Sequence, residues 1–374
     1  MSFFCGLPFI EVQSVDGQHG LPCCVFRSSA PIPLDTYFDN EEILSAKKKL
    51  LAGQAPTQCS ECVRSEQISG NSFRKLFEKF HEQEAKEIQQ INDYKYFKIK
   101  NVSFITSNIC NLKCLPCSNS SYVRDLELSK LDLINKRIPI LRKNNNFENM
   151  LSLDFERLTI LGGEPFYDRI TFDFLQALVE QGKSRNIQVD LNTNMTAITQ
   201  EKMEFLVSNF RKVMIKGSID GIGPVNDYLR YPSQWDDIKN NIDLVQSFPT
   251  VDLVVTTALS NLSLIKYYEL IRWAAETRTN LFITPVTNPI ELRSSLLPPA
   301  LKSKLLKIYQ DLKVELTGKV WDRTEFCIDS CIKICSGETD LTDWPKFIEW
   351  VGKHDSLRGT SLTDVFEELL DYVK

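Results

Sequence analysis

Short apolar runs alternate with helical stretches from about residue 97 onward. Six runs rich in Val, Ile and Phe predict strands, several of them apolar almost throughout, as strands buried on both faces are. They lie at 97–106, 157–161, 187–192, 212–219, 251–257 and 281–285. Segments with helical periodicity separate them, at 170–182, 200–209, 235–248 and 262–276. This alternation predicts βαβ units and a parallel α/β sheet, either an open, partial barrel or a doubly wound sheet.

The first 96 residues lack this alternation and carry five cysteines. We therefore expect a small cysteine-rich N-terminal module with a linker helix over residues 1–96. Residues 97–300 then form the α/β part, and residues 301–374 form a helical C-terminal region. In either kind of sheet, the active site is expected at the carboxyl ends of the strands.

Composition narrows the class of protein. The 374 residues are 43% hydrophobic and 25% charged, the balance of an ordinary soluble globular chain. A formal net charge of -5 gives no electrostatic reason to expect nucleic acid as a partner. No apolar run approaches the roughly 20 residues of a membrane-spanning helix. The N-terminus shows no basic leader or cleavage site, so we expect a cytoplasmic protein without a membrane partner.

Eleven cysteines are the unusual feature of the composition. An odd number in a long chain without a signal peptide favours reduced thiols over a disulfide framework. The cysteines fall into groups at short spacing, which suggests metal binding. Only three histidines are present and they are scattered, so sulfur would supply most ligands, for zinc or for an iron–sulfur cluster.

Cys110, Cys114 and Cys117 directly follow the first strand predicted in the α/β part. Three thiolates at this spacing, with no fourth ligand nearby, can bind three irons of a cubane cluster and leave the fourth iron open to a small molecule. The alternative is a structural zinc site completed by a remote cysteine.

A second motif follows the second strand, at Gly162, Gly163, Glu164 and Pro165. Two glycines let a ligand approach the backbone closely, and the glutamate offers a carboxylate to a cation such as an amino-acid ammonium. Taken alone, this sequence is also that of a common turn with an exposed acidic residue.

With the cysteine triad after strand one and GGEP after strand two, the chain resembles the radical S-adenosylmethionine (SAM) enzymes. The resemblance implies a partial (β/α)6 barrel, a [4Fe–4S] cluster on the triad and a GGEP turn that holds the methionyl amine. It also implies SAM contacts at Asn192, Asn194, Ser218, Asp220 and Arg230. Asn and Asp at strand ends also commonly cap turns. Met195 is a departure, because similar sequences usually have glycine after Asn194.

The N-terminal cysteines resemble part of the SPASM motif, placed before the barrel as in twitch-domain radical SAM proteins. The resemblance implies one auxiliary [4Fe–4S] cluster on Cys5, Cys23, Cys59 and Cys62, with Cys24 as a spare. A structural zinc in the same four thiolates is the alternative.

Three further cysteines, Cys327, Cys331 and Cys335, recur every four residues and so share one face of a helix. Buried structural cysteines are frequent, so we expect these thiols to pack in the core.

The resemblance implies an enzyme that takes one electron from an external reductant and cleaves SAM to a 5′-deoxyadenosyl radical, which removes hydrogen from a substrate. Auxiliary clusters of this kind are similar to those of peptide- and protein-modifying members, so a peptide substrate is the first hypothesis. Modification of a small molecule, such as a sugar or nucleoside, is a second. The alternative from another class is a non-catalytic zinc-binding module on a degenerate barrel.

Overall fold

The computed structural model describes residues 3–14, 16–69, 72–117, 147–320 and 322–372. Its strands are β1 (Glu11–Ser14), β2 (Gly20–Leu21), β3 (Asn101–Ile105), β4 (Arg157–Leu161), β5 (Gln188–Thr193), β6 (Lys212–Ser218), β7 (Val251–Leu259) and β8 (Asn280–Pro285). The strand order is β2-β1-β3-β4-β5-β6-β7-β8. Strand β2 is antiparallel to β1, whereas the β1–β3, β3–β4, β4–β5, β6–β7 and β7–β8 pairs are parallel.

The helices are mostly short and follow the strands along the chain. The described helices are α1 (Leu7–Ile10), α2 (Glu41–Leu51), α3 (Ser60–Ser69), α4 (Phe73–Phe80), α5 (Glu82–Ile91), α6 (Glu148–Leu151), α7 (Arg169–Glu180), α8 (Gln200–Asn209), α9 (Pro224–Leu229), α10 (Trp235–Gln246), α11 (Asn261–Glu276), α12 (Pro299–Glu315), α13 (Asp322–Ser336), α14 (Trp344–Arg358) and α15 (Leu362–Val365). Within the described part of the chain, no helix combines the length and the apolar character needed to cross a membrane.

The chain divides into two compact units. Unit 1 comprises Met1–Asn108, Leu141–Leu191 and Ser208–Lys212, and unit 2 comprises Ile109–Ile140, Asn192–Val207 and Val213–Lys374. The division falls within β5 and at the start of β6.

In unit 1, alternation along the strands fixes which side chains enter the core. Val102 and Phe104 of β3 and Leu158 and Ile160 of β4 are fully or almost fully buried. The ring of Phe104 meets the edge of Phe174 from α7, with ring centroids 4.9 Å apart. Each such side chain contributes about 1.5–3 kcal/mol by leaving water, so the period-two pattern is enough to orient these strands.

In unit 2, β7 pairs with β8, and α12 and α13 pack against each other. Helix α11 begins at a capping box in which the Ser260 hydroxyl accepts from the Ser263 N–H and Ser263 returns a contact to the Ser260 backbone. The cap places α11 directly after β7, with Leu262 and Ile265 buried.

The predicted α/β fold with an open, mostly parallel sheet is confirmed, and all six predicted strands are present. Strands β3 to β8 succeed one another in chain order, as in a (β/α) barrel, whereas a doubly wound sheet reverses its order at a switch point. The structure adds β1 and β2, which the sequence pattern missed. In β1 the two buried positions are Val12 and Ser14, and the serine conceals the alternation. The domain limits at residues 96 and 300 stay predictions.

A fully buried lysine in unit 1 gives stability a pH dependence. Lys47 of α2 is 0% exposed, and its Nζ donates to the Tyr96 carbonyl at 2.6 Å. The ammonium also lies over the ring of Phe97, 3.0 Å from its centroid. Burial lowers the pKa of Lys47 to about 7, and Asp93 only partly opposes this.

The unfolded chain therefore binds the Lys47 proton more tightly than the folded chain does. The free energy of unfolding is expected to rise by about 3 kcal/mol between pH 7 and pH 10, as the ammonium loses its proton. In a Lys47→Met variant, urea unfolding at several pH values is expected to lose this rise, while the exposed-site control Lys49→Met keeps it. If the free energy of unfolding rose equally with pH in both variants, Lys47 would not be the cause of the rise.

Candidate active site and cysteine cavity

The loop that carries Cys110, Cys114 and Cys117 belongs to unit 2. Cys110 is buried and the other two thiols are half-buried. Two backbone hydrogen bonds hold the loop: Lys113 N–H donates to the Tyr231 carbonyl at 2.6 Å, and Leu115 N–H donates to the Leu229 carbonyl at 2.8 Å. The spacing between the thiols is therefore set by the segment that follows α9.

Nitrogen donors lie close to two of these sulfurs. Cys110 Sγ accepts from the Leu112 N–H at 3.4 Å and from Asn194 Nδ2 at 3.8 Å. Cys114 Sγ accepts from Arg230 Nη1 at 3.6 Å. Donors at the sulfur stabilise a thiolate and tune a metal that it binds, so this donor set fits an iron–sulfur cluster on the triad.

Arg230 also forms a buried ion pair. Its Nε lies 3.0 Å from Asp220 Oδ2, and Asp220 is 1% exposed. Asp220 Oδ1 accepts from the Ala258 N–H at 2.9 Å, which fixes the carboxylate at the end of β6. Burial acts to lower the pKa of Arg230, but the Asp220 carboxylate outweighs it and raises that pKa. The guanidinium is therefore a permanent positive charge beside Cys114.

The protonation of Cys114 is coupled to metal binding. Burial raises the pKa of Cys114 to about 12, although Arg230 acts in the opposite direction. The free thiol is thus protonated at neutral pH, and binding of iron would displace its proton.

Asn194 belongs to a small polar network beside Cys110. Its Nδ2 donates to Asn111 Oδ1 at 2.9 Å, and Asn111 Nδ2 donates to Thr196 Oγ1 at 2.8 Å. Thr196 Oγ1 in turn donates to Asn194 Oδ1 at 2.6 Å. The network orients the Asn194 amide toward the sulfur, and the sequence analysis had not identified Asn111 or Thr196 as its members.

The backbone conformation at Met195 explains why similar sequences usually have glycine at this position. Its φ is 66°, in the left-handed region that favours glycine. The side chain is 0% exposed, and a Cβ added to Gly217 would lie 3.0 Å from Met195 Sδ. The methionine therefore accepts backbone strain and fills the space that Gly217 leaves.

Two other residues predicted to contact SAM lie at strand ends in unit 2. The side-chain oxygen Oδ1 of Asn192 is buried and has no hydrogen-bond partner among the described residues. Ser218 is half-buried at the end of β6, paired in register with Thr256 of β7. Both positions stay predictions as ligand contacts.

The GGEP turn belongs to unit 1 and follows β4. Gly162 has φ 142°, and an added Cβ would lie 2.4 Å from the Ser107 carbonyl oxygen, so only glycine fits. Gly163 N–H donates to the same oxygen at 2.9 Å. Glu164 is 1% exposed, and its Oε1 accepts from the Phe166 N–H at 3.0 Å. The turn is therefore rigid, and its carboxylate is buried rather than exposed as in an ordinary acidic turn.

The four N-terminal cysteines line one cavity in unit 1. The empty space is about 360 Å³, including the part open to solvent, and Cys5, Cys23, Cys59 and Cys62 all border it. The Arg27 N–H donates to the Gln58 carbonyl at 3.0 Å, which ties the segment of Cys23 to that of Cys59. Cys24 is exposed and lies outside the cavity lining. The structure thus brings together the four cysteines that the resemblance selected.

Backbone N–H groups again lie at the sulfurs of this cavity. Burial raises the pKa of Cys5 and of Cys23, and the N–H groups of Leu7 and Val25 oppose it by hydrogen bonding to these thiols. Burial raises the pKa of Cys59 to about 11, with Arg74 opposing. For Cys5 and Cys23 the donating N–H belongs to the residue two positions after the cysteine, as the Leu112 N–H does for Cys110.

The thiols are not arranged around a single metal ion. Within the described residues, no group of three or more Cys, His, Asp or Glu side chains converges closely enough to bind one ion. In a cubane cluster each cysteine binds a different iron, so the thiols stand farther apart than at a zinc ion.

The three cysteines of α13 lie in the core of unit 2, as predicted. Cys327, Cys331 and Cys335 are 1%, 0% and 5% exposed. Burial raises the pKa of Cys327 to about 12 and of Cys335 to about 11. Thiols in this setting are inert packing groups.

Comparison with known proteins agrees with these motifs. The radical SAM superfamily model matches residues 104–259, which include the cysteine triad and the GGEP turn. Among curated proteins, none matches this chain.

Three solved structures show similarity at low identity. Native anSMEcpe with bound AdoMet is 19% identical, has a TM-score of 0.44, and the match covers 59% of this chain and 63% of that chain. Streptococcus suis SuiB bound to S-adenosylmethionine is 14% identical with a TM-score of 0.36, and the match covers 73% and 62% of the two chains. SuiB bound to the precursor peptide SuiA is 15% identical with a TM-score of 0.35, covering 87% and 68%.

The chain thus spans less than two thirds of the length of the first of these structures. The superfamily match covers strands β4 to β7, the end of β3, the triad and the turn described above. Residues 104–259 are therefore identified as a radical SAM domain.

Proposed function

We propose that this protein is a radical SAM enzyme that cleaves SAM reductively and abstracts hydrogen from a peptide or protein substrate. The observation that carries the proposal is the loop of Cys110, Cys114 and Cys117, with nitrogen donors at two of its sulfurs. These cysteines would hold three irons of a [4Fe–4S] cluster, and SAM would bind the fourth. When bound, the cluster would supply one electron, taken from an external reductant, for cleavage of SAM to methionine and a 5′-deoxyadenosyl radical.

The residues of the chain have three tasks in this proposal. Arg230 and Asn194 stabilise thiolate charge, since both donate to ligating sulfurs. Glu164 binds the methionyl ammonium, and Gly162 and Gly163 keep the turn free of side chains. The strand-end groups then contact the remaining polar atoms of SAM: Asn192, Ser218 and Asp220, together with Asn194 and Arg230.

An auxiliary [4Fe–4S] cluster in the N-terminal cavity is the second part of the proposal. Four cysteines border the cavity, one for each iron of a [4Fe–4S] cluster, and a structural zinc in the same thiolates is the alternative. This cluster would bind the substrate or accept an electron from the product radical. Its likeness to the auxiliary clusters of peptide-modifying members is the reason for proposing a peptide rather than a sugar or nucleoside.

The test is formation of 5′-deoxyadenosine by the anaerobically reconstituted full chain with SAM and dithionite. We expect 5′-deoxyadenosine and methionine in equal amounts, and none when dithionite is omitted. A Glu164→Gln variant is expected to raise the KM for SAM about tenfold or more, because a charge-assisted hydrogen bond is lost. A chain that binds only zinc and leaves SAM intact would instead be the non-catalytic zinc module.

A further inference from the structure

A single arginine joins the C-terminal helical region to the cysteine loop. Arg358, the last residue of α14, donates through Nη2 to the carbonyl oxygen of Lys113. Its Nη1 donates to the Tyr228 carbonyl at 3.4 Å, and its guanidinium lies 5.4 Å from the centroid of the Tyr231 ring. Lys113 stands between Cys110 and Cys114, so this side chain contacts the backbone of the loop itself.

The end of α14 is built to hold this side chain in place. Gly359 has φ 63°, the left-handed conformation that ends a helix, so Arg358 lies at the negative end of the helix dipole. Asp355 secures the turn that follows, since Oδ2 accepts from the Leu362 N–H and Oδ1 from Thr360 Oγ1, both at 2.7 Å. Phe347 and Val351, which lie on the same face of the helix as Arg358, are buried and anchor this face.

The same arginine contacts both of the segments that meet at the loop. The 229–231 segment receives the N–H groups of Lys113 and Leu115 at 2.6 and 2.8 Å. Arg358 binds the opposite polar group of Lys113, its carbonyl, and also the carbonyl of Tyr228. The N–H of Lys113 is therefore held by the Tyr231 carbonyl, and its C=O is held by the guanidinium of Arg358.

We propose that Arg358 is a positioning residue that immobilises the Cys110–Cys117 loop, which makes α14 part of the radical SAM site. A planar guanidinium suits this role because it can donate to two carbonyls at once, whereas a lysine ammonium cannot reproduce the fork. Immobilising the loop does not depend on the proposed function, and only its effect on the cluster rests on that proposal.

The first test is hydrogen exchange of the metal-free full chain. In an Arg358→Gln variant, the peptide that spans residues 110–117 is expected to exchange about tenfold faster or more, because a charge-assisted hydrogen bond is lost. The matched control is Lys353→Gln on the same helix, which removes a cation whose Nζ donates to Glu349 at 2.6 Å. This control should leave exchange unchanged. Unchanged exchange in Arg358→Gln would overturn the proposal.

An Arg358→Lys variant separates geometry from charge and guards against misfolding of the glutamine variant. It is expected to fold, to leave exchange in the loop faster than in the parent chain, and to keep the positive charge. Exchange that is faster across the whole of unit 2 in both Arg358 variants would indicate a general structural role and would also overturn the proposal.

The second test uses the reconstituted chain and does not measure turnover. Iron release to a chelator is expected to be about tenfold faster in Arg358→Gln than in Lys353→Gln, because the ligands are less well held. The midpoint potential of the cluster is expected to become more negative in Arg358→Gln and to be restored in Arg358→Lys, which keeps the cation. If the chain binds no iron, the proposed function fails, while the exchange experiment still decides the role of Arg358.

Discussion

Replacement of Cys110, Cys114 and Cys117 together by alanine is expected to lower bound iron from about eight to about four atoms per chain. Formation of 5′-deoxyadenosine is expected to fall below detection. The physical reason is that these thiolates are the proposed anchors of the cluster that transfers the electron to SAM. Iron and sulfide analysis after anaerobic reconstitution, together with chromatography of the nucleoside, would measure both effects.

The matched control for this variant is Cys24→Ser. Cys24 is exposed and lies outside the cavity lining, so its loss removes a thiol without removing a proposed ligand. The control should keep about eight irons and full SAM cleavage. A triple variant that keeps all of its iron and still cleaves SAM would refute the assignment of the triad.

The second large effect is expected from the N-terminal cavity. A Cys59→Ala, Cys62→Ala double variant should also retain about four irons, those bound by the triad. It should still cleave SAM when dithionite is supplied, because the triad is intact. Modification of the substrate should be lost, and the melting temperature of unit 1 should fall, since the proposed cluster would link the segments of Cys5, Cys23 and Cys59.

Elemental analysis of this double variant distinguishes cluster from zinc. A loss of about four irons with no change in zinc supports the auxiliary cluster, whereas a loss of one zinc with iron unchanged contradicts it. The two cysteine variants are thus reciprocal. Each should keep the cluster that the other loses, so a general failure to fold cannot produce both results.

Much of the fold could be predicted because its strands carry their pattern locally. Strand β4 was located to the residue, and the other five predicted strands overlap those of the structure, since a run of alternating or continuous apolar residues depends only on near neighbours. Strand β1 was missed because it is four residues long and buries a serine. Its parallel pairing with β3 spans a sequence separation of about 90 residues, which no local pattern records.

The candidate ligands could also be predicted, because a local bend within eight residues is enough to bring three thiols together. The sequence by itself thus determined the α/β succession, the cysteine triad and the GGEP turn. The left-handed backbone at Met195 could be anticipated only because similar sequences usually have glycine at this position. In each case the signal lies within a few consecutive residues.

Only the tertiary structure decided which distant groups meet. The donors from Asn194 and Arg230 to the triad sulfurs, the common cavity of the four N-terminal cysteines, and the contact of Arg358 with Lys113 all join separate segments. Arg358 and Lys113 are 245 residues apart. Spacing along the chain fixes geometry only over a turn or a strand, whereas contacts across hundreds of residues follow from how helices and strands pack.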